Sequence, residues 1–282
     1  MKIKKILNNN AVIVDDQGQE KIVMGGGVSF EKGKNDVVDP SRIEKIFILE
    51  DQERYGYLQE MLQKLPEEEI AVSEHIISHA EKELNVSFNE HIHIALTDHL
   101  SHALERLRSG MIIHNTLLEE IRILYPAEFR IGLYARELIA ERLHIDIPED
   151  EVGYIAMHIH TAVMNAGSGV ASAGLAALIR DMVEDIEYVL NQPLDRKSAA
   201  YERLISQLKS ILQSSVDGHP AAELDEEIIV IARQKYADWY EHAQEMTDHA
   251  EDEYGYSCTD SQRVLIAIEL QRLQERLGHP AR

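Results

Sequence analysis

Ten of the fourteen histidines fall between residues 75 and 160. Imidazole is nucleophilic and largely neutral near pH 7, so a clustered set of histidines raises the question of covalent chemistry. Two of them stand out by position. Leu96, Leu100, Ala103, Leu104 and Leu107 recur at helical spacing, and so do Val152, Ile155, Ala156, Ile159 and Val163. His99 and His158 lie at the rims of these apolar stripes, where the active site of another protein can reach them. A phosphoryl group accepted there would bring nearly two negative charges to a helix interface. The plainer reading of each is an interface histidine making one hydrogen bond. Metal binding is the sharper alternative. His75 and His79 are four apart on a predicted helix, but Ile76 stands where a zinc protease motif needs Glu. His158 and His160 point roughly 200° apart on a helix and cannot share an ion. The expectation is therefore no metal and no cofactor. Gly25-Gly26-Gly27 lacks the Lys-Ser/Thr of a phosphate-binding loop, and no Ser or Cys nucleophile motif is present, which argues against an enzyme.

A second chemistry-bearing cluster sits near the N-terminus. Asn8, Asn9 and Asn10 both donate and accept hydrogen bonds and suit the reading of exposed base edges. Lys4 and Lys5 offer charge to phosphates, and Phe30 offers a face for stacking on a base. The plainer reading is a β-module with an Asn-rich turn and a core Phe.

Short β-branched runs predict strands near 2–7, 11–15, 20–24 and 43–49, with turns at Asp16-Gln17-Gly18 and Gly25-Gly26-Gly27. Glycine there lets a partner approach the backbone closely. Residues 50–64 are charged and predict a helical linker, and from Pro66 the periodicity is helical throughout. Pro148-Glu149-Asp150-Glu151 starts one of these helices. The small residues of 165–173 read as a link between two helical domains. The helical body looks duplicated. Tyr125, Phe129 and His158 have the spacing of Tyr236, Tyr240 and Glu269, and His99 can be laid on Gln207. The first copy has His at both key positions and the second has neither.

The net charge of −22 is unevenly placed. Residues 1–55 carry nine Lys/Arg against ten Asp/Glu, and the remaining 227 carry 19 against 40. The body should repel nucleic acid and anionic membrane, so any polyanion must meet the N-terminal module. The single Cys258 excludes an intrachain disulfide and fits a reducing cytoplasm. No apolar run is long enough for membrane insertion, and Asn8-Asn9-Asn10 interrupts any signal core.

Four stretches carry a resemblance that covers essentially the whole chain: Lys5-Ile6-Leu7-Asn8-Asn9-Asn10, Met24-Gly25-Gly26-Gly27 with Phe30, Leu96-Thr97-Asp98-His99, and Glu151-Val152-Gly153-Tyr154-Ile155-Ala156-Met157-His158. Together they make the chain resemble the BglG/SacY family of bacterial transcriptional antiterminators, the sucrose-type members above all. The resemblance implies a small antiparallel β-sheet RNA-binding domain at 1–55 that dimerises, followed by two all-α helical-bundle regulatory domains (PRDs) at 64–168 and 174–282. It implies a homodimer that binds an mRNA leader hairpin and prevents a terminator forming upstream of sugar-utilisation genes. Lys5, Asn8, Asn10, Gly25, Gly26 and Phe30 match the RNA-contact set; Gly26 stands where many relatives have Arg. His99 and His158 match the histidines that the sugar permease (enzyme II) of the phosphotransferase system phosphorylates to inactivate relatives. Gln207 and Glu269 occupy the corresponding positions of the second PRD and cannot form phosphohistidine, which places activation by HPr there in question. The alternative is a phosphotransferase-interacting regulator with weakened or absent RNA binding.

Overall fold

The computed structural model describes residues 1–48, 52–166, 174–216 and 223–278. Four strands, β1 (Lys2–Asn8), β2 (Ala11–Asp16), β3 (Gln19–Met24) and β4 (Lys45–Phe47), form an antiparallel meander in the order β1-β2-β3-β4. Asn9 and Asn10 close the first hairpin, where Asn8 pairs with Ala11. Gln17 and Gly18, both at positive φ, close the second. This is the backbone twist that favours Gly in tight hairpins. The fourth strand is shorter than its β-branched run predicts. Ile43 donates its N–H to Pro40 in the 3-10 turn Pro40–Arg42, and Glu44 donates to Met24, so both residues close a loop before the ladder begins. Leu49 lies outside the described residues.

Eleven helices follow among the described residues: α1 (Gln52–Lys64), α2 (Glu67–Leu84), α3 (His91–Arg108), α4 (Leu118–Leu124), α5 (Pro126–Leu143), α6 (Glu149–Ala166), α7 (Leu175–Leu190), α8 (Ala199–Val216), α9 (Glu226–Lys235), α10 (Ala237–Tyr254) and α11 (Asp260–Gly278). Their ends follow from local chemistry. Pro66 and three successive Glu residues open α2, suiting the positive end of the helix dipole. Asn85 and Asn191 close α2 and α7 in the left-handed conformation, their N–H groups returning to helix carbonyls. Of the segment 165–173, residues 167–173 lie outside the described residues.

The chain forms two compact units. The first comprises Met1–His114 and Ala127–Ser168. One face of its sheet (Leu7, Ala11, Ile13, Ile22, Met24, Phe47) is buried under Leu58, Met61 and Leu62 of α1, Ile70 of α2 and Ile94 of α3. The other face (Ile3, Val12, Val14, Val23) is covered by Val28, Val38 and Ile43 of the long β3–β4 connection. Helix α3 packs on α2 and on α6. The α2–α3 contact contains a buried Ser73–Thr97 hydroxyl pair at 2.7 Å.

The second unit comprises Asn115–Pro126 and Gly169–Arg282. Helix α4 therefore packs with α7 and α8, although the chain before Asn115 and from Ala127 to Ser168 belongs to the first unit. Its Glu120 is fully buried. It accepts from Arg196 Nη1 at 2.8 Å and from the Tyr201 hydroxyl. The duplication is visible in the backbone: Tyr125 ends α4 at φ −126°, ψ 57°, and Tyr236 ends α9 at φ −119°, ψ 38°.

Candidate nucleic-acid tip and phosphoryl-acceptor pair

The Asn-rich hairpin and the glycine turn after β3 form one tip. Asn10 O accepts from Gly25 N at 2.9 Å, Asn9 O from Ser29 N at 3.1 Å and Asn8 O from Ser29 Oγ at 2.9 Å. Asn8 serves the chain itself. Its Oδ1 takes Asn10 N and its Nδ2 donates to Leu62 O, both at 2.8 Å. Asn10 Oδ1 accepts from Gly27 N at 2.8 Å, and its Nδ2 has no partner among the described residues. Asn9 donates from both N and Nδ2 to the Glu67 carboxylate, each at 3.2 Å.

The glycines differ in purpose. A Cβ on Gly25 would lie 1.8 Å from Arg42 O, so the chain's own backbone occupies the space that a side chain would take. At Gly26 a Cβ would meet only Glu44 Oε1, at 3.5 Å, and this oxygen also accepts from Gly26 N. Gly27 has φ +64° and needs glycine for that reason. Phe30 is 59% exposed, so the plainer reading of a core Phe fails: the aromatic face points outward. Lys5 is exposed and makes no ion pair among the described residues, whereas Lys4 is paired with Glu20. A cavity of about 310 Å³ opens beside the tip, between Asn8, Asn10 and Gly26 on one side and Glu67, Glu74 and His75 on the other. Its acidic wall is a poor host for phosphate, so a polyanion is better met from the side of Phe30.

The helix pair α3–α6 brings His99 and His158 together, with ring centroids 4.7 Å apart. Tyr154 lies against His99 at 5.8 Å. His99 Nε2 is 3.2 Å from Glu151 Oε2, and Arg106 Nη2 is 3.1 Å from the other oxygen of the same carboxylate. Burial works to raise the Glu151 pKa, but His99 and Arg106 together outweigh it and hold the group below the usual carboxylate range. Burial, reinforced by the nearby His99, pushes His158 down to about 4. His158 is thus neutral near pH 7 and keeps a free ring-nitrogen lone pair, the form a phosphoryl acceptor needs. Tyr57 of α1 donates to Asp98, the neighbour of His99, at 2.5 Å, and this bond is the main reason its hydroxyl is pushed up to about 12.

From sequence, Glu151 figures only as a helix-start and motif residue, without a role at the site, and Arg106 does not figure at all. Glu151 is seven residues before His158 on α6 and Arg106 seven after His99 on α3, each on the same helical face as its histidine, which was a usable signal. His79, weighed as a metal ligand, stacks on Tyr134 with centroids 3.8 Å apart. In the second unit α8 and α11 also pack together. Gln207 is half-buried on α8, and Glu269 of α11 accepts from Arg272 at 2.6 Å.

Residues 1–55 match the CAT RNA binding domain family, and residues 74–162 and 180–273 each match the PRD domain family. The fold and these matches define a class: an RNA-binding sheet module followed by tandem helical regulatory domains. The chain is 34% identical to the beta-glucoside operon antiterminator of Dickeya chrysanthemi, over 98% of each chain. It is 32% identical to the transcription antiterminator LicT of Bacillus subtilis (strain 168), over 97% of this chain and 99% of that one. The crystal structure of GlcT CAT-PRDI aligns with a TM-score of 0.53 at 37% identity, covering 58% of this chain and 98% of that one. The chain belongs to the BglG/SacY family of transcriptional antiterminators.

Proposed function

We propose that this protein is a cytoplasmic regulator, not an enzyme, that binds a hairpin in an mRNA leader as a homodimer and so keeps a terminator from forming ahead of sugar-utilisation genes. The RNA-contact set is Lys5, Asn10, Gly26 and Phe30, with Asn8 and Gly25 shaping the tip from within. The observation that carries the reading is the exposed Phe30 ring beside the Asn10–Gly27 lock, in a segment that matches an RNA-binding family. RNA readers combine a stacking face with amide donors in this way.

Control falls to His99 and His158, with the sugar permease as donor in the absence of sugar. The neutral imidazole attacks the donor's phosphorus, the donor's P–N or P–S bond breaks, and the ring is left carrying the phosphoryl group. That group adds roughly 1.5–2 negative charges beside Glu151 and Asp98. Like charges in a half-buried seam repel, so phosphorylation loosens the α3–α6 contact and changes the surface offered for dimerisation. HPr has no acceptor at Gln207 or Glu269. The fixed carboxylate of Glu269 supplies about one charge, already paired with Arg272.

The test is a mobility shift of the full chain on its leader RNA. Asn10→Ala and Phe30→Ala should each weaken binding by about 1–3 kcal/mol, the scale of a base contact or stack. Unchanged affinity in both would overturn the assignment of this surface. A folded chain that binds no leader hairpin would favour a phosphotransferase-interacting regulator without RNA binding.

A further inference from the structure

Gly27 is the point on which two unlike side chains and the backbone of Phe30 converge. Asn10 Oδ1 holds its N–H at 2.8 Å, and its carbonyl accepts from Phe30 N at 3.0 Å and from Arg42 Nη1 at 2.6 Å. An amide and a guanidinium are thus fixed to a single residue, which also holds the backbone of the residue bearing the exposed ring. The neighbouring glycines make room for Arg42. A Cβ on Gly25 would strike its carbonyl, and one on Gly27 would lie 3.0 Å from its Nη1.

The charge pattern around the tip leaves Arg42, like Lys5, unneutralised among the described residues. Lys4 and Lys21 are paired with Glu20 and Asp16, and Lys45 sits 3.5 Å from both Glu74 and Glu81. Arg42 is exposed and forms no ion pair among the described residues. Among the described residues only one of its five donors is engaged, on a neutral carbonyl. A guanidinium anchored at one corner with the rest of its fork free is preorganised for a phosphate. Asn10 and Phe30 offer no charge of their own, and Gly26 has no side chain.

We infer that Arg42 is a nucleic-acid contact: it grips a backbone phosphate of the RNA whose bases meet Asn10 and Phe30. This deepens the RNA-binding reading and rests on it. Glu44, held on Gly26 N on the other side of the turn, repels phosphate and so fixes which side the RNA backbone takes.

The experiment measures binding of the full chain to its leader hairpin across a series of salt concentrations. Arg42→Gln should weaken binding about tenfold at 0.1 M salt, as expected for loss of one charge-assisted contact, and should flatten the slope of log affinity against log salt by roughly 0.7–0.9, one phosphate's worth. Arg42→Lys keeps the cation and should keep the slope while losing part of the affinity. Gly26→Arg has room for its Cβ, and in the Arg42→Gln background it should restore the slope. Phe30→Ala should lower affinity and leave the slope alone. An Arg that only braces Gly27 predicts lost affinity with an unchanged slope, and that result overturns the proposal. So does a slope that falls equally in Arg42→Lys, which is the decisive variant should Arg42→Gln unfold. A wild-type chain that binds no hairpin fails the RNA reading itself; one that binds and responds to Phe30→Ala but not to Arg42→Gln fails only this inference.

Discussion

Gly25→Ala and Gly26→Ala are adjacent and chemically identical changes with opposite expected outcomes. At Gly25 the new Cβ would lie 1.8 Å from Arg42 O, 2.9 Å from Arg42 C and 3.1 Å from Glu44 N. These are backbone atoms with no rotamer to change, so the strand-entry segment must retreat by more than about 1 Å to reach ordinary contact. That movement pulls on two backbone hydrogen bonds, Glu44 N to Met24 O and Gly25 N to Asn10 O, both 2.9 Å. Overpacking costs about 1–3 kcal/mol and a weakened hydrogen bond about 1 more, so about 2–4 kcal/mol is expected. In a unit of this size each kcal/mol lowers the midpoint by roughly 2–4 °C, giving a fall of roughly 5–15 °C. At Gly26 the Cβ meets one carboxylate oxygen at 3.5 Å, and stability should stay within about 0.5 kcal/mol of wild type. The assay is thermal unfolding of the full chain without RNA, followed by circular dichroism, with leader binding measured on the same samples. Gly26→Ala should lose RNA affinity without losing stability. A Gly25→Ala protein that melts with the wild type, or a Gly26→Ala protein that falls as far as Gly25→Ala, refutes the division of labour between these glycines.

His158 is held near 4 in the fold, against an ordinary 6.5 when unfolded. Between those values the unfolded chain binds the extra proton, so stability is full above pH 6.5 and declines as pH falls toward 4, by about 3 kcal/mol at most; denaturant unfolding should show this slope, and His158→Gln should remove it. Arg196→Met strips the cation from fully buried Glu120 and should cost about 3 kcal/mol in chemical denaturation, mostly recovered in Glu120→Gln/Arg196→Met, where no charge is stranded; equal stability of single and double variants would refute the pairing. In a reporter strain, sugar control should vanish in a His99→Ala/His158→Ala variant, and its persistence would remove both residues from the switch. Antitermination should also persist without HPr, because Gln207 and Glu269 accept no phosphoryl group; strict dependence on HPr would require another acceptor in the second unit.

The local grammar of the chain was readable from residues alone. Hairpin turns announce themselves through Asn and Gly, and Tyr125 and Tyr236 sit at equivalent helix ends as their common spacing requires. Periodicity placed His99 and His158 at the rims of their stripes, and the structure adds that the two rims face each other. What periodicity cannot give is the partner of an apolar face. Helix α4 reads as amphipathic whichever body it joins, and nothing local says that Glu120 will meet Arg196 and Tyr201. The role of Gly25 was equally hidden. A glycine that admits a ligand and one that admits the chain's own carbonyl look alike in sequence, and only the fold around Arg42 separates them.

Helix α4 also sets an order of events during synthesis. Arg196 follows Glu120 by 76 residues. At roughly 5–20 residues per second on the ribosome, α4 waits about 4–15 s before its partner has been made. Throughout that interval Ile121, Leu124 and Glu120, all buried in the complete fold, lack the α8 partner that covers them. A chain released early, by a stop codon between α4 and α8, never makes Tyr201 and so leaves that segment without its cover.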